Sequence, residues 1–119
     1  MELPSSPSFW EYLEKLVASS PLMIDRPKGT CHPHYPELVY PLDYGYLEGT
    51  IASDRGGIDV WLGCSGSHAL CGVIVTVDLQ KRDTEIKLLL GCAEDEVQTI
   101  LEFHNTSAMQ AILVSRPPQ

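Results

Sequence analysis

Apolar and polar residues along this chain recur with two different periods, and the changes from one to the other mark its elements. Phe9, Tyr12, Leu13, Leu16 and Val17 follow the i, i+3, i+4, i+7, i+8 spacing of one helical face, which predicts an amphipathic helix over 8–19. Ser8 with Glu11 three residues later reads as its capping box, and Pro21 ends it. Short β-type runs then cover 22–26, 44–50 and 58–62, with Gly56-Gly57 opening the turn before the third. Four prolines (Pro27, Pro33, Pro36, Pro41) make the segment 27–41 an extended loop. Leu70 to Asp78, rich in Val and Ile, is the strongest strand, and its centre reads as buried on both faces. Gln80-Lys81-Arg82-Asp83 connects it to a partner over 85–90, as in a β-hairpin.

A second helix is predicted over 93–104. Glu94, Asp95 and Glu96 sit in its first turn, where the helix dipole favours acids, and Val97, Ile100, Leu101 and His104 form its inner stripe. A last strand covers 109–114. Five or six strands with an N-terminal and a C-terminal helix describe an α+β domain. Periodicity leaves a barrel and an open sheet equally available. The length of 119 residues suits a single domain, with residues 1–20 carrying the first helix and 22–114 the sheet and the helix at 93–104.

Charge narrows the function classes. A net charge of −8 argues against a nucleic-acid binder, which needs a basic footprint. No apolar run reaches membrane-spanning length and no leader pattern opens the chain, so a cytoplasmic protein with reduced cysteines is expected. Cys31, His32 and His34, with Cys64, His68 and Cys71 as further donors, lack the Cys-x-x-Cys spacing that would argue for zinc. Arg26, Lys28, Arg55, Lys81, Arg82 and Lys87 all fall in the stretch that also carries Asp54, Asp59, Asp78, Asp83 and Glu85. Such a mixture can converge on metal ions and a small anion, or form solvated ion pairs and turns. Asp54 and Asp59 lie across a glycine turn, Asp78 ends a strand, and either Asp83 or Glu85 could add a fourth carboxylate. Tyr40, Tyr44, Tyr46 and Trp61 read as core residues first and as a stacking platform second.

Tyr40-Pro41-Leu42-Asp43-Tyr44-Gly45-Tyr46-Leu47-Glu48-Gly49-Thr50, followed by Asp54-Arg55-Gly56-Gly57-Ile58-Asp59-Val60, resembles the signature of the soluble (family I) inorganic pyrophosphatases. There a Tyr-Pro-x-Asp-Tyr-Gly-Tyr-x-x-Gly-Thr strand leads into an Asp-x-Asp-Pro-x-Asp metal loop. Ile24-Asp25-Arg26-Pro27-Lys28-Gly29-Thr30 is similar to an upstream strand and turn of that family, and Glu85-Ile86-Lys87 stands where the family has Asp-x-Lys. The resemblance runs over 23–105 and is specific over 40–60.

It implies an OB-like β-barrel and Mg²⁺- or Mn²⁺-dependent hydrolysis of diphosphate or a related small phosphoanhydride. Asp54, Asp59, Asp78 and Glu85 would be metal ligands, with Arg26, Lys28, Arg55 and Lys87 binding the phosphate. Tyr44 and Asp59 would be catalytic, Tyr44 beside the nucleophile. Gly56 stands where the family has the aspartate that takes a proton from metal-bound water, so His32 or His34 could serve as base instead. Thr106-Ser107 replaces a Tyr-Lys pair after the last helix, and the long segments before the Tyr-Pro motif are shortened. Two other readings share these residues: a non-catalytic module for phosphate, nucleotide or metal, and a hydrolase of a larger phosphorylated substrate. Self-association into a homo-oligomer is also expected.

Overall fold

Two helices and six strands follow in the order α1 (Pro7–Ala18), β1 (Leu22–Arg26), β2 (Asp43–Leu47), β3 (Ile58–Leu62), β4 (Leu70–Asp78), β5 (Asp83–Leu90), α2 (Glu94–His104) and β6 (Met109–Ser115). They are seen in a computed structural model that describes residues 7–118. The strands form one mixed sheet in the order β1-β2-β3-β5-β4-β6. β1–β2, β2–β3, β5–β4 and β4–β6 pair antiparallel, while β3 and β5 pair in parallel. With a helix at each end of the chain this is the expected α+β domain. The ladder runs from β1 to β6 without a pairing between those two edges, as in a partly open OB-like sheet. No helix among the described residues is long and apolar enough to cross a membrane.

Most limits match the periodicity, and the exceptions have local causes. β2 stops at Leu47 instead of reaching Thr50 because Gly49 takes a φ of 82°. Thr50 then closes the turn: its Oγ1 donates to the Leu47 carbonyl at 2.7 Å and accepts from the Ile58 N–H at 3.0 Å. β5 begins at Asp83, which pairs with Asp78 across the hairpin. Ser8 lies inside α1, so the Ser8–Glu11 capping box does not form there; residues ahead of Pro7 lie outside the described range.

The period-2 alternation of the strands sorts the core into two faces. Val60, Val73, Leu88 and Leu90 share one face with Leu47 and Trp10, and α1 packs on it through Trp10, Leu13 and Val17. Phe9, Tyr12 and Leu16, expected on the inner stripe, are exposed. Two adjacent apolar stripes compete on this helix, and docking selects the one that buries the indole, the largest surface available. Trp61, Ile74 and Leu89 point to the other face, where Ile100 of α2 and Tyr40 and Leu42 of the preceding loop cover them. Leu70 and Val73 reach the same face despite their odd separation because the β4–β5 register shifts between Leu70 and Gly72.

Gly45 is indispensable to this arrangement. A Cβ at Gly45, in the centre of β2, would overlap the Met23 carbonyl of β1. Gly45→Ala is therefore expected to cost at least about 3 kcal/mol in urea denaturation, the upper range of overpacking penalties, because rigid backbone rather than a side chain must yield.

Candidate active site

The sheet face covered by α2 carries the candidate site. Asp59 on β3 and Lys87 on β5 are direct partners in the parallel ladder, so their side chains emerge side by side. Tyr44 on β2 lies opposite Trp61, one pleat from Asp59 on the same face. Glu85 precedes Lys87 by two residues and therefore shares its side of β5. The result is a cluster centred on one ammonium group. Lys87 Nζ donates to Tyr44 Oη at 2.7 Å, to Asp59 Oδ2 at 2.9 Å and to Glu85 Oε2 at 3.1 Å.

Burial governs how these groups ionise. Lys87 is 6% exposed in its side chain, against 25% for Asp59 and 18% for Glu85. Burial by itself would lower the Lys87 pKa, but the contacts with Tyr44 and Asp59 outweigh it and hold the amine protonated. Burial pushes the Tyr44 hydroxyl well above its ordinary value, and the adjacent ammonium only partly opposes that. At neutral pH Lys87 is thus an ammonium and Tyr44 a neutral phenol.

Around this floor opens a cleft of about 550 Å³. Asp54, Asp59, Asp78 and Glu85 all line it, as do Tyr44 and Lys87; Arg26, Lys28 and Arg55 are not among its lining residues. Lys28 instead donates its backbone N–H to Asp43 Oδ1 at 2.8 Å. Arg55 occupies an exposed turn at a φ of 72°. Arg26 lies close enough for its charge to contribute to lowering the His32 pKa, behind burial and His34. Both histidines proposed as bases line the cleft, and Glu37, Asp83 and Lys81 do so too. Six carboxylates therefore face two ammonium groups, and a phosphate entering alone meets net repulsion.

Several carboxylates also hold local structure. Asp54 Oδ1 accepts the Gly56 N–H at 2.9 Å, and Asp78 Oδ1 accepts the N–H groups of Gln80 and Lys81 at 2.9 and 3.0 Å, shaping the β4–β5 turn. No three Asp, Glu, His or Cys side chains among the described residues gather into a ready-made metal site. The donors nonetheless fit Mg²⁺ in kind. That ion takes hard oxygens, often only one or two protein carboxylates, and completes its shell with water and substrate phosphate.

His104 and Phe103 of α2 also line the cleft. His104 was legible only as a member of the helix stripe. Its Nε2 accepts the Trp61 indole N–H at 3.0 Å, which leaves the proton on Nδ1, 3.4 Å from Met109 Sδ. Burial, with Lys87 adding repulsion, lowers its pKa to about 3. This neutral imidazole fixes Trp61, whose ring meets Tyr44 edge-on with centroids 4.7 Å apart.

Searches by sequence return no matching family model and no matching curated protein. Comparison of structures does find a similar fold. The inorganic pyrophosphatase from Helicobacter pylori superposes with a TM-score of 0.57 at 16% identity, covering 79% of this chain and 81% of that one. The fold is pyrophosphatase-like. At such low identity the likeness concerns the pyrophosphatase-like fold alone.

Two expectations follow from the cluster. Lys87→Met leaves Asp59 and Glu85 facing each other unpaired, and should lower stability by about 3 kcal/mol in denaturant melts. Mg²⁺ should then raise the melting temperature of the variant more than that of the wild type, by binding the freed carboxylates. His104 sets an acid limit. Between pH 6.5, the ordinary histidine value, and about 3, its folded value, the unfolded chain binds a proton that the folded chain does not. Stability should consequently fall as pH drops through that window, and His104→Gln, which keeps an acceptor for Trp61, should flatten the slope in pH-dependent melts.

Proposed function

We propose that this chain is a divalent-metal-dependent hydrolase of inorganic diphosphate or a related small phosphoanhydride. The observation that carries the reading is the Tyr44–Lys87–Asp59–Glu85 cluster on the floor of an acidic cleft, within a pyrophosphatase-like fold. Asp59 and Glu85, with Asp54 and Asp78 also lining the cleft, would hold Mg²⁺ or Mn²⁺. When bound, such an ion offsets phosphate charge and makes a water more acidic. Lys87, whose three N–H donors already have partners, would lend positive charge at the floor, and Tyr44, kept protonated by its burial, can donate a hydrogen bond there. Repulsion from the lining carboxylates makes the metal a requirement for binding this substrate, beyond any help it gives to the rate.

A specific observation favours a second reading. Gly56 brings no base to the loop, and Lys87 already neutralises part of the Asp59–Glu85 charge. A module that holds phosphate, nucleotide or metal without turnover would have these features.

Phosphate release from diphosphate with Mg²⁺ or Mn²⁺ decides between them. The hydrolase reading expects measurable release, reduced at least about a hundredfold by Asp59→Asn. The three atoms nearest a Cβ at Gly56 all belong to the Asp54 side chain, the closest an oxygen at 3.3 Å, so a side chain is accommodated there if Asp54 yields by a few tenths of an ångström. Gly56→Asp is then expected to raise the rate by about tenfold or more, toward the usual contribution of a positioned base. Tight diphosphate binding with no release under any common divalent ion selects the binding module.

A further inference from the structure

The cleft is much larger than the substrate proposed for its floor. Its volume of about 550 Å³ falls in the range of clefts that enclose drug-sized ligands, about 300–1,000 Å³, and inorganic diphosphate would fill only a small part of it. The remaining space has a different chemistry. The cleft is also lined by a chain of rings. Tyr35 and His32 have centroids 5.2 Å apart, His32 and Tyr40 lie parallel within 4° at 6.1 Å, and Tyr40 meets Phe103 at 5.2 Å. Tyr35 ends this wall and is 48% exposed, so it keeps surface free to stack on a ligand.

The wall is built in advance of any ligand. The His32 N–H donates to the Leu38 carbonyl and the Leu38 N–H to the Tyr35 carbonyl, both at 2.8 Å. His32 Nδ1 accepts from the backbone N–H groups of His34 and Tyr35 at 3.1 and 3.3 Å, which puts the ring proton on Nε2. Burial and the neighbouring cations lower the His32 pKa, so the ring is neutral at pH 7 and stacks without a charge to desolvate. Gln80, Thr106 and Ser107 at the cleft add hydrogen-bonding groups of both senses. On the phosphate side, by contrast, direct help is scarce: Lys87 has three partners already, leaving Lys81 as the other lysine in the cleft. A ligand that was all phosphate would leave this part of the cleft unfilled, whereas an aromatic end would add contacts that the floor does not offer.

We infer that the cleft takes a nucleoside diphosphate, with the phosphates over the Lys87–Asp59–Glu85 floor and the base against Tyr35 and His32. This inference rests on the phosphoanhydride reading for the placement of the phosphates, and adds the class of group attached to them. Stacking of a base on an aromatic side chain is worth enough that losing it weakens binding by about tenfold or more.

Calorimetry with Mg²⁺ tests it, using adenosine diphosphate and inorganic diphosphate as probes on the wild type, Tyr35→Ala and Tyr35→Phe, with phosphate release measured in parallel. The expected result is tighter binding of the nucleotide than of diphosphate. Tyr35→Ala should weaken the nucleotide about tenfold, Tyr35→Phe should restore it, and diphosphate binding should be the same in all three proteins. Nucleotide binding no tighter than diphosphate, or unaffected by Tyr35→Ala, overturns the inference. Turnover of diphosphate without nucleotide binding overturns it while the hydrolase reading stands. Tyr35-dependent nucleotide binding with no phosphate release from either probe supports it while the hydrolase reading falls.

Discussion

A single buried ammonium organises the functional half of this protein. Lys87 Nζ ties β5 to β3 through Asp59 and to β2 through Tyr44, and it balances Glu85 on its own strand. These contacts cross the parallel β3–β5 pairing, where short turns supply no connection and the register has to be held by side chains and ladder bonds. Charge and geometry constrain each other here. Tyr44 and Asp59 keep the lysine protonated despite its burial, and the lysine allows two carboxylates to stand close together at the floor of a cleft that is already acidic. A divalent ion held by Asp59 or Glu85 would have to share that carboxylate with Lys87 or displace the amine.

The Tyr40–Thr50 motif acquires a more exact meaning from the structure. Tyr40 and Leu42 are core residues under α2, Gly45 permits β1 to approach β2, Gly49 supplies a left-handed turn, and Thr50 closes that turn with two hydrogen bonds. Only Tyr44 in this run reaches the Lys87 cluster. Most of the motif therefore specifies backbone geometry, which is why so short a stretch of sequence could anticipate a fold shared at 16% identity.

Local signals were legible and long-range ones were not. Strands β1, β3 and β4 follow directly from alternation and breaker residues, since each depends on its own few side chains. The buried face of α1 could not be read from the helix alone, because Phe9–Tyr12–Leu16 and Trp10–Leu13–Val17 are both apolar and only docking distinguishes them. Lys87 read as a phosphate ligand, but its three partners come from two other strands and from Glu85, a set fixed by sheet order. The Trp61–His104 hydrogen bond joins residues far apart in the chain and has no periodic trace. Asp54 and Asp78 illustrate the reverse difficulty: turn chemistry and cleft lining ask for the same residue type, and each of these two does both.

The carboxylate floor, already balanced by Lys87, would accept a divalent ion chiefly in company with phosphate. Calorimetric titration of Mg²⁺ into the wild type, with and without saturating methylene diphosphonate as a non-hydrolysable diphosphate, measures this directly. The account predicts weak uptake of Mg²⁺ by the protein alone and at least about tenfold tighter uptake when the diphosphonate is bound, a coupling that must hold equally in the reverse order of addition. Mg²⁺ affinity that is unchanged by the diphosphonate, or no uptake in either titration, would contradict it.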